Sequence, residues 1–134
     1  MTARGAIIGL VAALFALGGS TVRTQSDRSV WEGVYSEGQA GRGQEVFGRI
    51  CSRCHNVADF TSETFLASWE GSSALDLFTL IQKSMPQDNP GSLEPKEYLD
   101  VIAYMFRENK FPAGMGELDS EAEKLKLIRI ERKK

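Results

Sequence analysis

The sequence predicts an all-α fold, and two observations carry this prediction. Apolar residues recur at the helical spacing of three and four positions in four separate segments, which turn-forming residues interrupt. Alternation of apolar and polar residues, the pattern of a half-buried strand, occurs only weakly at Leu125 and Leu127. A chain of 134 residues, of which 42% are hydrophobic and 25% charged, suits one globular domain.

The first twenty residues are set apart from this domain. Arg4 precedes an uncharged, mostly apolar run over residues 6–18, and small and polar residues follow. This layout is typical of a secretory signal peptide, because the run is shorter than the roughly 20 apolar residues of a membrane-spanning helix. We therefore expect residues 1–20 to be a signal peptide and the mature protein to be periplasmic; an uncleaved N-terminal anchor is the second interpretation.

The charge distribution separates an acidic body from a basic tail. The formal net charge is −2, yet six of the basic residues and only three of the acidic ones lie in residues 120–134. An acidic body gives no reason to expect nucleic-acid binding. We interpret residues 119–134 as a charged C-terminal extension with a solvated end; packing across the helices and a docking patch for a partner are the alternatives.

The first helix is predicted from about Glu37 to Ile50. Residues 21–35 are polar without a sustained period, so they are expected to form an extended leader. Ser36 and Gln39 then fit the capping-box pattern at the start of the helix. Apolar or small residues follow at helical spacing: Ala40, Gly43, Phe47 and Ile50.

Two shorter helices are predicted next. Thr61 or Ser62 caps a helix that Gly71 ends, and its apolar residues are Phe65, Leu66 and Trp69. Another helix begins at Ser72 or Ser73 and ends near Ser84, because a residue before proline disfavours the helical conformation. Its apolar face includes Leu75, Phe78 and Ile81.

The last strongly marked helix is predicted from Pro95 to about Glu108. Proline suits its first position, and Glu97 adds a favourable charge to its first turn. The apolar stripe consists of Tyr98, Val101, Ile102, Met105 and Phe106. Before this helix, residues 86–91 contain two prolines, an Asp, an Asn and a Gly, so Met85 is expected in a loop.

The segment CSRCH at positions 51–55 carries the chemistry. A C-x-x-C-H sequence is the pattern of covalent c-type haem attachment. Thiols three positions apart at a helix end can reach the two vinyl groups of one porphyrin, and the imidazole that follows them is the usual proximal ligand. Cys51 and Cys54 are therefore predicted to hold one haem c, with His55 on the iron.

Three other interpretations of the cysteines fit less well. A structural zinc site needs four Cys or His ligands, whereas the chain contains two Cys and one His. A thioredoxin-like dithiol is expected in a βαβ context, which this helical sequence does not provide. Export favours a disulfide, but the histidine directly after Cys54 favours haem instead.

Methionine is the natural sixth ligand, because His55 is the only histidine. Met85 stands thirty residues later in a predicted loop, next to Pro86, which limits the freedom of that loop. The remaining methionines lie in the signal segment, inside the last helix and in a Gly-flanked segment: Met1, Met105 and Met115. Met85 is predicted to bind the iron, and a gap-filling core methionine is the competing interpretation.

With these residues, the chain resembles the class I c-type cytochromes, in particular the small bacterial single-haem domains found beside quinoprotein dehydrogenases and respiratory chains. The resemblance covers roughly residues 29–118 and includes Gly43 and Phe47, which stand eight and four positions before the first haem cysteine. It implies a cytochrome c-like fold of four to five helices around one covalent haem, with the domain at residues 36–118.

The resemblance also implies roles for residues outside the motif. Gly43 would let the first helix cross closely against the last helix at Val101 and Tyr104. The segment from Met85 to Leu93 looks like the methionine loop of the family. Trp69 would lie at the haem edge and donate its indole N–H to a propionate; an ordinary core Trp is the alternative. Arg49 and Arg53 are expected to be solvated, and pairing with a propionate or with a partner's acids is the alternative.

Iron held by His55 and Met85 has no open position for substrate, so the expected function is one-electron carriage. Partners would be a dehydrogenase, a quinol oxidoreductase or an oxidase, and no enzymatic activity of the chain's own is expected. One alternative is a cytochrome subunit bound permanently in a larger oxidoreductase or photosynthetic complex. Another is a ligand-binding haem sensor in which Met85 does not bind the iron.

Overall fold

The computed structural model describes residues 26–133, so the predicted signal peptide lies outside the described residues. In this part of the chain, five helices and one short pair of strands form, and the all-α prediction is confirmed. The helices are α1 Glu37–Arg49, α2 Glu63–Trp69, α3 Ala74–Ser84, α4 Pro95–Glu108 and α5 Ala122–Lys126. The strands are β1 Arg28–Ser29 and β2 Ile128–Arg129. Over the same residues, no helix combines the length and the apolar character needed to cross a membrane.

Side-chain caps define where the first three helices begin. The Oγ atoms of Ser36 and Ser62 accept hydrogen bonds from backbone N–H groups three residues later, each at 3.1 Å. Ser73 caps α3 in a reciprocal capping box with Asp76. Each cap satisfies a backbone donor that the helix itself leaves without a partner, so these boundaries lie within a residue of the predicted ones.

Helices α1 and α4 cross closely at the centre of the fold. A Cβ atom added to Gly43 would lie 1.8 Å from the backbone oxygen of Asp100 and 2.9 Å from Cβ of Tyr104. The predicted crossing therefore forms at Tyr104, but the closest backbone belongs to Asp100 rather than to Val101. The carboxylate of Asp100 accepts hydrogen bonds from Arg42 at 3.1 Å and from Lys96 at 3.0 Å, which adds a polar clamp beside the crossing.

The leader differs from its prediction, because it packs into the core from Val30 onward. Val30 and Tyr35 are fully buried, and the Tyr35 hydroxyl donates a hydrogen bond of 2.7 Å to the backbone oxygen of Phe111. Strand β1 pairs in parallel with β2, near the other end of the chain. The segment is too short for a periodic apolar pattern, and its packing depends on partners that are distant in sequence.

The C-terminal extension is also packed, so the prediction of a solvated end is wrong. Leu125 and Ile130 are 1% and 3% exposed, and the Trp31 indole donates to the backbone oxygen of Glu131 at 2.9 Å. The weak alternation at Leu125 and Leu127 is not a strand there: Leu125 lies in α5, and β2 begins at Ile128.

Among the described residues, three basic residues of the extension have acidic partners. Arg129 pairs with Asp27 at 3.3 Å, Lys124 pairs with Asp119 at 2.9 Å, and Arg132 pairs with Glu70. The pairs of Arg129 and Arg132 connect the extension to the rest of the described chain, whereas the pair of Lys124 lies within the extension. They also balance much of the positive charge that suggested a docking patch.

Candidate functional site

A cavity of about 660 Å³ lies among the helices, and its lining is mostly apolar. All five residues predicted to bind a cofactor line it: Cys51, Cys54, His55, Trp69 and Met85. They come from three parts of the chain that the fold brings together: residues 51–55 after α1, helix α2, and Met85 directly after α3.

The two thiols and the imidazole are held by one turn. Helix α1 ends at Arg49, and the chain tightens into a 3₁₀ turn over Cys51–Arg53. The backbone oxygen of Cys51 accepts hydrogen bonds from the N–H groups of Cys54 at 3.1 Å and His55 at 2.9 Å. Both cysteines are free thiols. The Cys51 side chain is partly buried, and this burial raises the pKa of its thiol, whereas Cys54 is exposed.

Aromatic rings form the wall next to the imidazole. The ring of Phe60 lies 5.3 Å from that of His55 and 5.7 Å from that of Phe65, between ring centroids. Phe65 in turn lies 6.3 Å from Trp69. Neither Phe60 nor Phe65 has a site role that the sequence alone predicts. The spacing of Phe65 and Trp69, four positions apart on a helix, was the available signal that they share a face.

Trp69 lies on this wall and is half-buried. Within residues 26–133, its indole N–H has no hydrogen-bond partner in the protein, in contrast to the indole of Trp31. Buried indole groups usually find a partner, so this donor is available to a group placed in the cavity.

The methionine loop forms another part of the wall. Met85 follows the last residue of α3, and its N–H donates to the backbone oxygen of Ile81 at 2.8 Å. Its backbone oxygen accepts hydrogen bonds from the Tyr98 hydroxyl at 2.8 Å and from the Gly91 N–H at 3.3 Å. The loop predicted from its turn residues is therefore tied to both α3 and α4.

Two methionines, not one, line the cavity among the described residues. Met105 is 3% exposed and belongs to the interior of α4, where every residue from Tyr98 to Phe106 is buried. Met115 is fully exposed and does not line the cavity. The geometry leaves Met85 and Met105 as thioether donors.

The two arginines beside the motif have protein partners. Arg49 does not line the cavity and bonds Glu97 at 2.8 Å, so it strengthens the contact between α1 and the start of α4. Arg53 lines the cavity and approaches Asp88 of the methionine loop at 3.7 Å, with both side chains largely exposed. Exposed pairs of this kind contribute little to stability.

The residues of this cavity fit haem c. Two free thiols with two residues between them, an imidazole directly after the second, and thioethers elsewhere on the wall are the donors that covalent haem needs. The apolar lining suits the faces of a porphyrin, and the volume lies within the usual range of about 300–1,000 Å³ for ligand pockets. A half-buried indole N–H adds a donor for a carboxylate.

Comparison with known proteins agrees with this chemistry. A family model described as "Cytochrome C oxidase, cbb3-type, subunit III" matches residues 38–105. No curated protein and no solved structure gives a significant match. The matched region begins in α1, contains the C-x-x-C-H motif and Met85, and ends in α4, so it spans half of the chain. The chain therefore belongs to the cbb3-type cytochrome c oxidase subunit III family, whose domain is a class I c-type cytochrome.

Proposed function

We propose that this protein is a periplasmic one-electron carrier with a single haem c, attached through Cys51 and Cys54 and ligated by His55 and Met85. The observation that carries the proposal is the convergence of these four side chains on one apolar cavity. A bound haem c supplies one-electron transfer between ferric and ferrous iron. The protein's part is to hold the donors, exclude water and present an edge of the cavity to partners.

The arrangement of the thiols supports covalent attachment. Cys51 faces a partly buried position and Cys54 an exposed one, while the shared hydrogen bonds to the Cys51 backbone oxygen keep both near His55. A disulfide would use up both thiols and leave the adjacent imidazole without a function. Thioether bonds use both thiols and bring the imidazole to the iron.

Met85 is favoured over Met105 as the sixth ligand because of its place in the chain. Met85 ends a helix and begins a loop, so its side chain can adjust to a ligand with little change in helical packing. Met105 lies among consecutive buried residues of α4, which crosses α1. Moving its thioether would disturb the best-packed part of the fold.

Iron with two protein ligands from this cavity leaves no position for substrate, which supports electron transfer rather than catalysis. Among the lining residues, the only histidine is assigned to the iron, and the one carboxylate, that of Asp88, is largely exposed beside Arg53. The Trp69 indole is proposed to donate to a haem propionate. Redox partners would be a dehydrogenase, a quinol oxidoreductase or an oxidase.

A second candidate function is a subunit bound permanently in a terminal oxidase, and the description of the matching family favours it. The N-terminal segment would be a signal peptide in the diffusing carrier and an anchor in the bound subunit. Size-exclusion chromatography of cell extracts that are prepared without and with detergent separates these two functions. A haem protein of the monomer's size in the detergent-free extract supports the carrier.

The experiment that tests the ligand set compares variants of the exported holoprotein. Met85→Ala is expected to abolish the weak long-wavelength ferric absorption band that reports bonding between iron and methionine sulfur. Met105→Leu, which conserves volume, and Met115→Leu are the matched controls and should keep the band. Loss of the band in Met105→Leu alone would assign the sixth ligand to Met105. Binding of carbon monoxide by the ferrous wild-type protein would support the sensor alternative.

A further inference from the structure

The Tyr98 hydroxyl connects the two ends of the methionine loop. It donates a hydrogen bond of 2.8 Å to the backbone oxygen of Met85, and it accepts one of 3.3 Å from the backbone N–H of Leu93. Met85 begins the loop directly after α3, and Leu93 ends it two residues before α4. One oxygen atom therefore bridges backbone groups that are eight positions apart.

The atom is held on a rigid support. Tyr98 lies in the second turn of α4 and is fully buried, and its ring meets the ring of Phe78 on α3 edge to face, with centroids 6.4 Å apart. At the start of α4, the Glu97 carboxylate accepts a hydrogen bond of 3.1 Å from the backbone N–H of Glu94. Since α4 is also the helix that crosses α1, the hydroxyl links the loop to the centre of the fold.

Few other bonds hold the loop closed. The Met85 oxygen has one further bond, the longer one of 3.3 Å from Gly91, and the Asn89 N–H donates to the Pro86 oxygen at 2.9 Å. Both of these bonds join residues within the loop. The Met85 N–H also bonds Ile81 of α3, and the exposed Asp88 approaches Arg53 at 3.7 Å, but neither contact reaches the Leu93 end of the loop. In the described part of the chain, removing the hydroxyl leaves the Leu93 N–H without its partner and the Met85 oxygen with the weaker bond.

We propose that Tyr98 is a positioning residue that keeps the Met85 loop closed over the cavity, and thereby sets how readily an outside ligand can take the place of Met85. The inference rests on the proposed function, in which Met85 is the sixth ligand. Tyr98 acts through the backbone of Met85 and also lines the cavity.

The test is the binding of added imidazole to the ferric holoprotein. Imidazole can reach the iron only when the loop is open. Its apparent affinity is the intrinsic affinity multiplied by the fraction of molecules with an open loop, so a larger open fraction means tighter apparent binding. Tyr98→Phe removes the hydroxyl that both ends of the loop share, and we expect the apparent imidazole affinity to rise about tenfold, which corresponds to about 1.4 kcal/mol.

Tyr35→Phe is the matched control. Tyr35 is as buried as Tyr98, and its hydroxyl also donates to a backbone oxygen, that of Phe111 at 2.7 Å, but Tyr35 does not line the cavity. Tyr35→Phe should lower the free energy of unfolding about as much as Tyr98→Phe does, and it should leave the apparent imidazole affinity unchanged. An equal rise in both variants, or no rise in Tyr98→Phe, would overturn the proposal.

Hydrogen exchange at the Leu93 amide gives a readout that does not depend on the iron–sulfur bond. In the holoprotein, Tyr98→Phe should speed this exchange about tenfold relative to wild type, whereas Tyr35→Phe should not. If wild type lacks the iron–methionine band, the proposed function fails, yet faster exchange at Leu93 still supports the role of Tyr98 in the loop. Unchanged exchange at Leu93 refutes that role even when the band is present.

Discussion

Replacement of Gly43 by alanine should destabilise the protein, although alanine is the better helix former. In an exposed helix position, the change from glycine to alanine gains up to about 1 kcal/mol. At Gly43 the new Cβ would meet the backbone oxygen of Asp100 at 1.8 Å and its carbonyl carbon at 2.3 Å. Backbone atoms inside a helix cannot rotate away, so α1 and α4 must separate.

The size of the loss follows from these opposing terms. Overpacking costs about 1–3 kcal/mol, and a clash with backbone belongs at the upper end of that range. After the gain in helix propensity, the free energy of unfolding should fall by about 2 kcal/mol, a large part of the roughly 5–15 kcal/mol of a typical domain.

Two glycines of the same helix are matched controls. A Cβ at Gly41 or Gly48 meets no atom within 4 Å, so Gly41→Ala and Gly48→Ala should each stabilise the protein by about 0.5–1 kcal/mol. Urea unfolding of the holoproteins, followed by far-ultraviolet circular dichroism, measures the difference. We expect Gly43→Ala to lie about 3 kcal/mol below the controls, and equal midpoints for all three would refute the close crossing.

Two further predictions concern the α3 cap and the C-terminal extension. Ser73→Ala should lower the free energy of unfolding by about 1 kcal/mol at neutral pH. Backbone and side-chain hydrogen bonds from Ser73 lower the pKa of Asp76. The stabilisation that the ionised Asp76 contributes is therefore present above its pKa in the unfolded chain, about 3.9, and is lost as pH falls through its pKa in the folded protein. The deficit of the variant should therefore shrink in acid unfolding series, and a constant deficit would contradict this linkage. Ile130→Ala should cost about 3 kcal/mol in urea unfolding, because Ile130 is 3% exposed, whereas Lys126→Ala on the exposed side should change stability by less than about 0.5 kcal/mol. Equal effects of these two substitutions would mean that the extension does not pack.

The helices that position the site could be predicted because their ends are encoded locally. Ser62 and Ser73 cap helices through groups three residues away, and Pro95 fits the first position of α4. Such signals need no knowledge of the rest of the fold. The observed bounds of α3 and α4 agree with the predicted ones for the same reason.

The packing of the two ends could not be predicted from local patterns. Val30 and Ile130 are buried, and each directly follows a strand. Those strands, β1 and β2, pair across a hundred positions of sequence. Each segment alone looks polar and irregular. Leu125 is likewise buried in a helix of five residues, which is too short to show a period of apolar residues in the sequence.

The same distinction applies to the cavity. The C-x-x-C-H motif and the loop at Met85 are visible because their residue types are adjacent in sequence. Phe60 and the Tyr98 hydroxyl became visible only in the fold, since their roles depend on contacts with His55 and with the Met85 backbone. A tyrosine on an apolar helical stripe gives no sign of the partner that its hydroxyl will find.

The most direct test of the central claim is the ferric absorption spectrum of the exported holoprotein, recorded for wild type and for Met85→Ala, together with addition of carbon monoxide to the ferrous forms. A carrier with His55 and Met85 on the iron predicts the iron–sulfur band in wild type, its loss in Met85→Ala, and carbon monoxide binding only in the variant. A wild-type spectrum without the band, accompanied by ready binding of carbon monoxide, would contradict the account.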